Sequence, residues 1–297
     1  MTYEKTILFI EQQKGGSGKT TVADFLNATC TAAGKATIVI DVDDGNSGFL
    51  RRCGEGSALS LSWMQPPETA RKWIDQNLTG MDVVLFDLGA NLFASNASVT
   101  RFLAEVATEL QKTNARIIFC PVASTNSPGV GRLVTEMRDN FSALGEVRVV
   151  ENNVDGSGEF PRELNTLGIP RIQLDHIDPG LQAARLLKIA PLLKTLENPP
   201  TGYEMAMALY SRKVLEFAKQ PLVLDIAGEK ALPRLAGAAE RANGKYAIVS
   251  TLERADNHSI EARCAAVTAY SRLCRVDRSD REAVYQAAIA YLEKRDA

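Results

Sequence analysis

The residues Gln13-Lys14-Gly15-Gly16-Ser17-Gly18-Lys19-Thr20-Thr21 have the types and spacing to hold a phosphate chain. Glycines let a backbone turn tightly and aim successive N–H groups at phosphate oxygens. A helix beginning at Lys19 adds its positive N-terminal end. Lys19 would neutralise charge on the β- and γ-phosphates, and the Thr20 hydroxyl would ligate Mg²⁺. Carboxylates follow in chain order. Asp41 and Asp43 close an apolar run in IVIDVDDGN, and Asp87 closes another in VVLFD. Residues two apart on a strand point the same way, so Asp41 and Asp43 would both reach one side. An aspartate at the end of a buried strand is costly unless it meets a cation or donors. Asp87 therefore fits a residue that holds Mg²⁺ through water, with Gly89 freeing the loop beyond it.

These groups work together only if the chain brings them to one place. The pattern predicts a strand at Ile7–Ile10, then the glycine-rich turn, then a helix over Lys19–Ala33. Val22, Phe25, Leu26 and Thr29/Cys30 form that helix's apolar stripe, and Gly34 closes it. Further strands are expected at Thr37–Val42, Met81–Leu88, Ala115–Val122 and Glu146–Val150, with a short edge strand at Arg171–Leu174 and a helix near Glu68–Asn77. Continuous apolar strands divided by helices predict a parallel sheet covered on both faces, a three-layer α/β fold. Right-handed crossovers then place every strand's C-terminal end, and every loop named above, on one rim.

After Pro199-Pro200 the pattern becomes mostly helical and alanine-rich, over 203–219, 228–243, 258–274 and 280–296, with one short apolar run, Tyr246–Val249, readable as a strand. The expected organisation is a sheet domain carrying the glycine-rich loop over 1–200 and a helical C-terminal extension or subdomain over 201–297.

Composition excludes several classes. With 45% hydrophobic and 24% charged residues and a net charge of -2, the chain reads as an ordinary cytosolic globular protein. No apolar run approaches the ~20 residues of a membrane span, and the N-terminus lacks a secretory design. The five cysteines form no CxxC pair, which implies reduced thiols, and the two histidines, His176 and His258, lie far apart.

The loop departs from the plain P-loop pattern: Gln13 stands where the first glycine would be, and Lys14 precedes Gly15-Gly16. This KGGxGKT form resembles the deviant Walker A motif of the ParA/MinD family, and the preceding glutamine looks more like ParA. The resemblance implies a P-loop NTPase that binds ATP and Mg²⁺ and hydrolyses ATP slowly, stimulated by a partner. It implies that Lys14 reaches across a homodimer to the other subunit's nucleotide. The segment at Asp41–Asp43 resembles the family's DxDPQ switch, which makes Asp43 the residue that orients the attacking water and Asp41 a support of the Mg²⁺ site. Asp44-Gly45 replace the Pro-Gln pair, and Gly89-Ala90-Asn91 replace the prolines that usually follow the second aspartate, so both switches depart from the pattern. Asn152 in VVENNVD resembles the asparagine that recognises adenine, with Asn153 as its rival. Pro121 and IPRIQLDHIDPGLQAARL are further landmarks, so the resemblance spans about residues 5–195 and excludes the tail.

Such proteins are dimerisation switches in plasmid or chromosome partition or in cargo positioning. The implied partners are a second copy, nonspecific DNA and an activating ParB-like protein. The implied location is cytoplasmic, with nucleoid association. Arg272, Arg275, Arg278 and Arg281 are one candidate DNA surface, interleaved with acids; Lys188, Lys194, Arg212 and Lys213 are another. Rival readings are a MinD-like membrane-associated ATPase, a reductase or small-molecule kinase relative, and a plasmid stability or conjugation regulator with little hydrolysis. Residues 281–296 give the membrane reading weak support, because their basic and acidic residues balance.

Overall fold

The computed structural model describes residues 3–12, 15–42, 47–62, 72, 76–89, 97–125, 129–200 and 202–254. Among these, strands β1 (Lys5–Glu11), β2 (Thr37–Val42), β3 (Leu59–Ser60), β4 (Val83–Leu88), β5 (Ala115–Ser124), β6 (Glu146–Val147), β7 (Val149–Asn152) and β8 (Arg171–Leu174) form one sheet. Its order is β3-β2-β4-β1-β5-β7-β8, with β6 beside β5, and every described pairing is parallel. The helices are α1 (Lys19–Ala32), α2 (Gly48–Cys53), α3 (Ala97–Gln111), α4 (Val130–Phe141), α5 (Pro179–Leu186), α6 (Leu192–Glu197), α7 (Glu204–Ala218), α8 (Pro221–Ala227) and α9 (Ala231–Arg254).

Alternation along the strands divides the core into two layers. Leu8 and Ile10 of β1, Val39 of β2 and Val83 and Leu85 of β4 face α1 and the helices from α6 to α9. Ile7, Phe9, Ile40, Phe86 and Phe119 face α3 and α4. On that second face Phe86, Phe9, Phe119 and Phe141 stack in a row, with ring centroids 4.7, 5.3 and 4.6 Å apart. Phe9 is in register with both Phe86 and Phe119, so the row locks β1 between its neighbours.

Two expectations are corrected. The strand expected at Glu146–Val150 is two strands broken at Arg148, whose side chain turns to α8 and donates to Asp225 Oδ2 at 2.6 Å and Leu222 O at 3.1 Å. The run Tyr246–Val249 lies inside helix α9, not in a strand. Four apolar residues do not outweigh an alanine-rich helix already running from Ala231. The described part of the tail shares the α1-side core: Met207, Tyr210, Val214 and Phe217 of α7 and Leu235 and Ala238 of α9 cluster with Leu26 and Ile10. Most of the helix expected at Glu68–Asn77, and the stretches 258–274 and 280–296, lie outside the described residues.

Candidate phosphate-binding site

Register puts the chemistry on one rim: Ile10 pairs with Asp87 and Cys120, and Asp41 pairs with Asp87. From β1 the chain passes through the glycine-rich loop into α1. Gly16 and Gly18 have φ of 76° and 89°, which a side chain would strain. Gly18 is also pressed against its neighbour, because a Cβ there would come within 2.1 Å of Asn152 Nδ2. That same Nδ2 donates to Ser17 O at 2.7 Å. Helix α1 starts at Gly18 with no side-chain cap and no acidic residue in its first turn. Its first N–H groups therefore form a positive end of the kind that suits an anion.

In front of that end lies a cavity of about 290 Å³. Gly15, Gly16, Gly18, Lys19, Thr20 and Thr21 line one wall, and Asp41, Gly48, Arg52 and Asp87 line the other. The Thr20 hydroxyl hydrogen-bonds Asp87, while Asp87 Oδ1 is buried and has no hydrogen-bond partner. Burial, helped by the like charge of Asp41, pushes the Asp87 carboxyl up to about 7 against the pull of Thr20, Lys19 and Arg52. An all-oxygen set with one unsatisfied buried carboxylate oxygen fits a hard cation. Among the described residues no group of three or more His, Cys, Asp or Glu could hold a metal.

Asp41 has a structural task that its expected role did not include. Its Oδ2 accepts from Phe49 N at 3.0 Å and Leu50 N at 3.1 Å, capping α2. The other end of α2 is tied to α1 by a buried clamp. Arg185, wholly inaccessible, donates to Asp24 Oδ2 at 3.0 Å, to Ala190 O at 2.8 Å and to Cys53 Sγ at 3.7 Å. Asp24 Oδ1 accepts from Leu192 N at 3.3 Å and from Cys53 Sγ at 3.7 Å.

Gly15, Gly16, Gly18, Lys19, Thr20, Thr21, Asp41 and Asp87 thus meet at one cavity, and Ser17 lies buried in the loop beneath it. Asn152 is brought to the loop as well, with one of its amide protons used on Ser17 O. Its rival Asn153 is engaged elsewhere, with Oδ1 accepting from Gly158 N at 3.0 Å. Lys14 and Asp43 lie outside the described residues, as do Arg272, Arg275, Arg278 and Arg281. Of the other basic candidates, Lys188 donates to Asn198 O at 2.9 Å and Lys213 pairs with Asp175 at 3.6 Å, while Lys194 and Arg212 are exposed.

Two residues escaped the sequence reading. Arg52 reaches the cavity because α2 folds back over α1, which no local pattern reveals. Glu11 ends β1 with both carboxylate oxygens buried and without hydrogen-bond partners. Burial holds its carboxyl well above the usual range despite the nearby Lys19. Glu11, like Asp87, is an acid closing an apolar strand.

A parallel sheet with a glycine-rich loop between its central β1 and α1 is the three-layer α/β fold of P-loop NTPases. No protein-family model matches the chain, and no curated protein is similar to it in sequence. In structure it is similar to a ParA family ATPase from Chlorobium tepidum, at 12% identity and a TM-score of 0.47 over 78% of this chain and 98% of that one. It is likewise similar to the MinD cell division protein of Aquifex aeolicus, at 16% identity and a TM-score of 0.45 over 78% and 95%. A third similar structure is a nucleotide-binding protein from Archaeoglobus fulgidus in complex with ADP, at 17% identity and a TM-score of 0.42 over 65% and 88%. No helix among the described residues is long and apolar enough to cross a membrane.

Proposed function

We propose that this chain is a ParA/MinD-like ATPase that uses ATP as a dimerisation switch in DNA partition or cargo positioning. The observation that carries the reading is the cavity in which an uncapped helix end, Lys19, Thr20 and Asp87 converge. The substrate's phosphates lie in the loop of Gly15, Gly16, Ser17 and Gly18 against the first turn of α1. Lys19 neutralises charge developing on the β,γ-bridge and γ-phosphate. Thr20, Asp87 and the Asp41 region hold Mg²⁺, which screens the phosphate oxygens when bound. Asn152, anchored on the loop, offers its amide to the adenine edge. Lys14 reaches across the dimer to the partner's nucleotide, and Asp43 orients the attacking water. Residues 1–200 form the ATPase unit, with 201–297 as its helical extension. DNA and a ParB-like activator are the proposed partners.

The test is size-exclusion chromatography with light scattering in ATP and in ADP, repeated with Lys14→Ala and with DNA added. The reading expects an ATP-dependent dimer that Lys14→Ala abolishes and that retains DNA. Unchanged mass in ATP sinks the switch. Flotation with ATP on liposomes in place of DNA retention would move the output to a membrane.

A further inference from the structure

We infer that Arg52 is a further phosphate-binding cation, supplied in cis by α2 to the phosphate that lies beside Thr21. The inference rests on the nucleotide reading above. Arg52 lines the cavity and is half-buried, and its Nη1 donates to Thr21 Oγ1 at 3.2 Å. A guanidinium carries five N–H donors in a rigid fork suited to phosphate oxygens. Among the described residues that one hydroxyl is its only hydrogen-bond partner, and it makes no ion pair. A cation set beside the positive end of α1 is repelled there unless an anion joins the two. Asp87 on the same wall feels the Arg52 charge but forms no ion pair with it, so the guanidinium keeps donors for an incoming phosphate.

The position is fixed in advance. Asp41 caps the first amides of α2, Phe49 is wholly buried, and Cys53, next to Arg52, sits in the clamp with Asp24 and Arg185. Arg52 thus needs no rearrangement of its helix to make contact, which preserves binding energy.

Its place along the helix also names the phosphate. Thr20 is engaged with Asp87 on the metal side. Thr21 lies one residue further and about 100° around the helix, so Arg52 covers the part of the phosphate chain turned away from Asp87. That part is common to the diphosphate and the triphosphate. Arg52 therefore contributes to holding both nucleotides and does not distinguish them.

The experiment is calorimetric titration of the full chain with MgADP and with MgATP, for wild type, Arg52→Ala, Arg52→Lys and Arg51→Ala, each checked by thermal melting. Arg52→Ala should weaken both nucleotides by about ten- to a hundredfold, as expected for a charge-assisted hydrogen bond. Arg52→Lys should recover part of the loss, and exposed Arg51 should matter little. If Arg52→Ala does not fold, Arg52→Gln carries the test. Unchanged binding of both nucleotides by Arg52→Ala, or a loss confined to MgATP, overturns the assignment while leaving the nucleotide site intact. Failure of wild type to bind either nucleotide overturns the assignment together with the reading beneath it.

Discussion

Asp24 and Asp87 are both buried aspartates on the α1 side of the sheet, 0% and 4% exposed, yet they live in opposite circumstances. Asp24 is surrounded by donors from its own chain: the Arg185 guanidinium, Leu192 N and the Cys53 thiol. Its charge is fully used in holding α1, α2 and the α5–α6 connection together. Asp87 has the Thr20 hydroxyl on one side and nothing on Oδ1. A buried carboxylate satisfied from within belongs to the scaffold. One left half-satisfied at the mouth of a cavity is kept for something that arrives. The difference predicts opposite consequences for loss of stability and loss of binding.

The largest effect is expected at the clamp. Arg185→Ala leaves Asp24 buried and unpaired, and should cost about 3–5 kcal/mol in chemical denaturation. Arg185→Met combined with Asp24→Asn should cost clearly less, because no charge is stranded. Equal stability of the single variant and wild type would break the contrast from the Asp24 side.

Asp87 should behave the other way. Its carboxyl is raised from 3.8 to about 7 in the fold, so between those values the folded state holds a proton that the unfolded state has released. Stability without nucleotide should therefore fall as pH rises through this window, by on the order of 4 kcal/mol from this group. Asp87→Asn should flatten that slope while removing the Mg²⁺-dependent part of nucleotide affinity. Denaturation curves at several pH values, with binding titrations with and without Mg²⁺, measure both. A slope unchanged in Asp87→Asn would show that Asp87 is not the unsatisfied group.

Between these regions stands the contact of Gly18 with Asn152. Gly18→Ala should cost about 2 kcal/mol, from left-handed backbone strain and the collision with the Asn152 amide. Adding Asn152→Ala should return the steric part only, so a double-mutant cycle in thermal melts should show coupling. Strict additivity would separate the loop from β7.

The smallest effect is expected at Glu11, the unsatisfied carboxylate outside the cavity wall. Its raised pKa means that stability is lost as pH climbs above the ordinary carboxylate range. Glu11→Gln should therefore gain on the order of 1 kcal/mol in alkaline buffer and less in acid. A loss of nucleotide affinity in that variant would instead place Glu11 with Asp87.

The central strands, α1, the glycine-rich turn and Asp87 were legible because each is announced by neighbours in sequence. An apolar run reads as a buried strand, and Gly-Lys-Thr after it reads as a phosphate turn. Where tertiary contacts decide, local reading failed. Arg148 breaks a strand because α8 offers it Asp225, and Tyr246–Val249 is helical because α9 runs through it. Asp41 was read for its charge, whereas its oxygen caps a short helix that propensity does not announce. Glu11, an acid at the end of the apolar run of β1, is as legible as Asp87.

By itself the sequence determined that a glycine-rich turn joins a buried strand to a helix, with acidic strand ends following in order. Backbone conformation and side-chain type at adjacent positions suffice for that. Only the tertiary structure decided that β4 lies between β2 and β1, which sets Asp41 beside Asp87. It also decided that Arg52 leans on Thr21, that Asn152 braces the loop, and that Arg185 closes on Asp24. Those pairings depend on strand order and on which helices share a core, and both follow from burying the whole apolar surface at once, not from any local pattern.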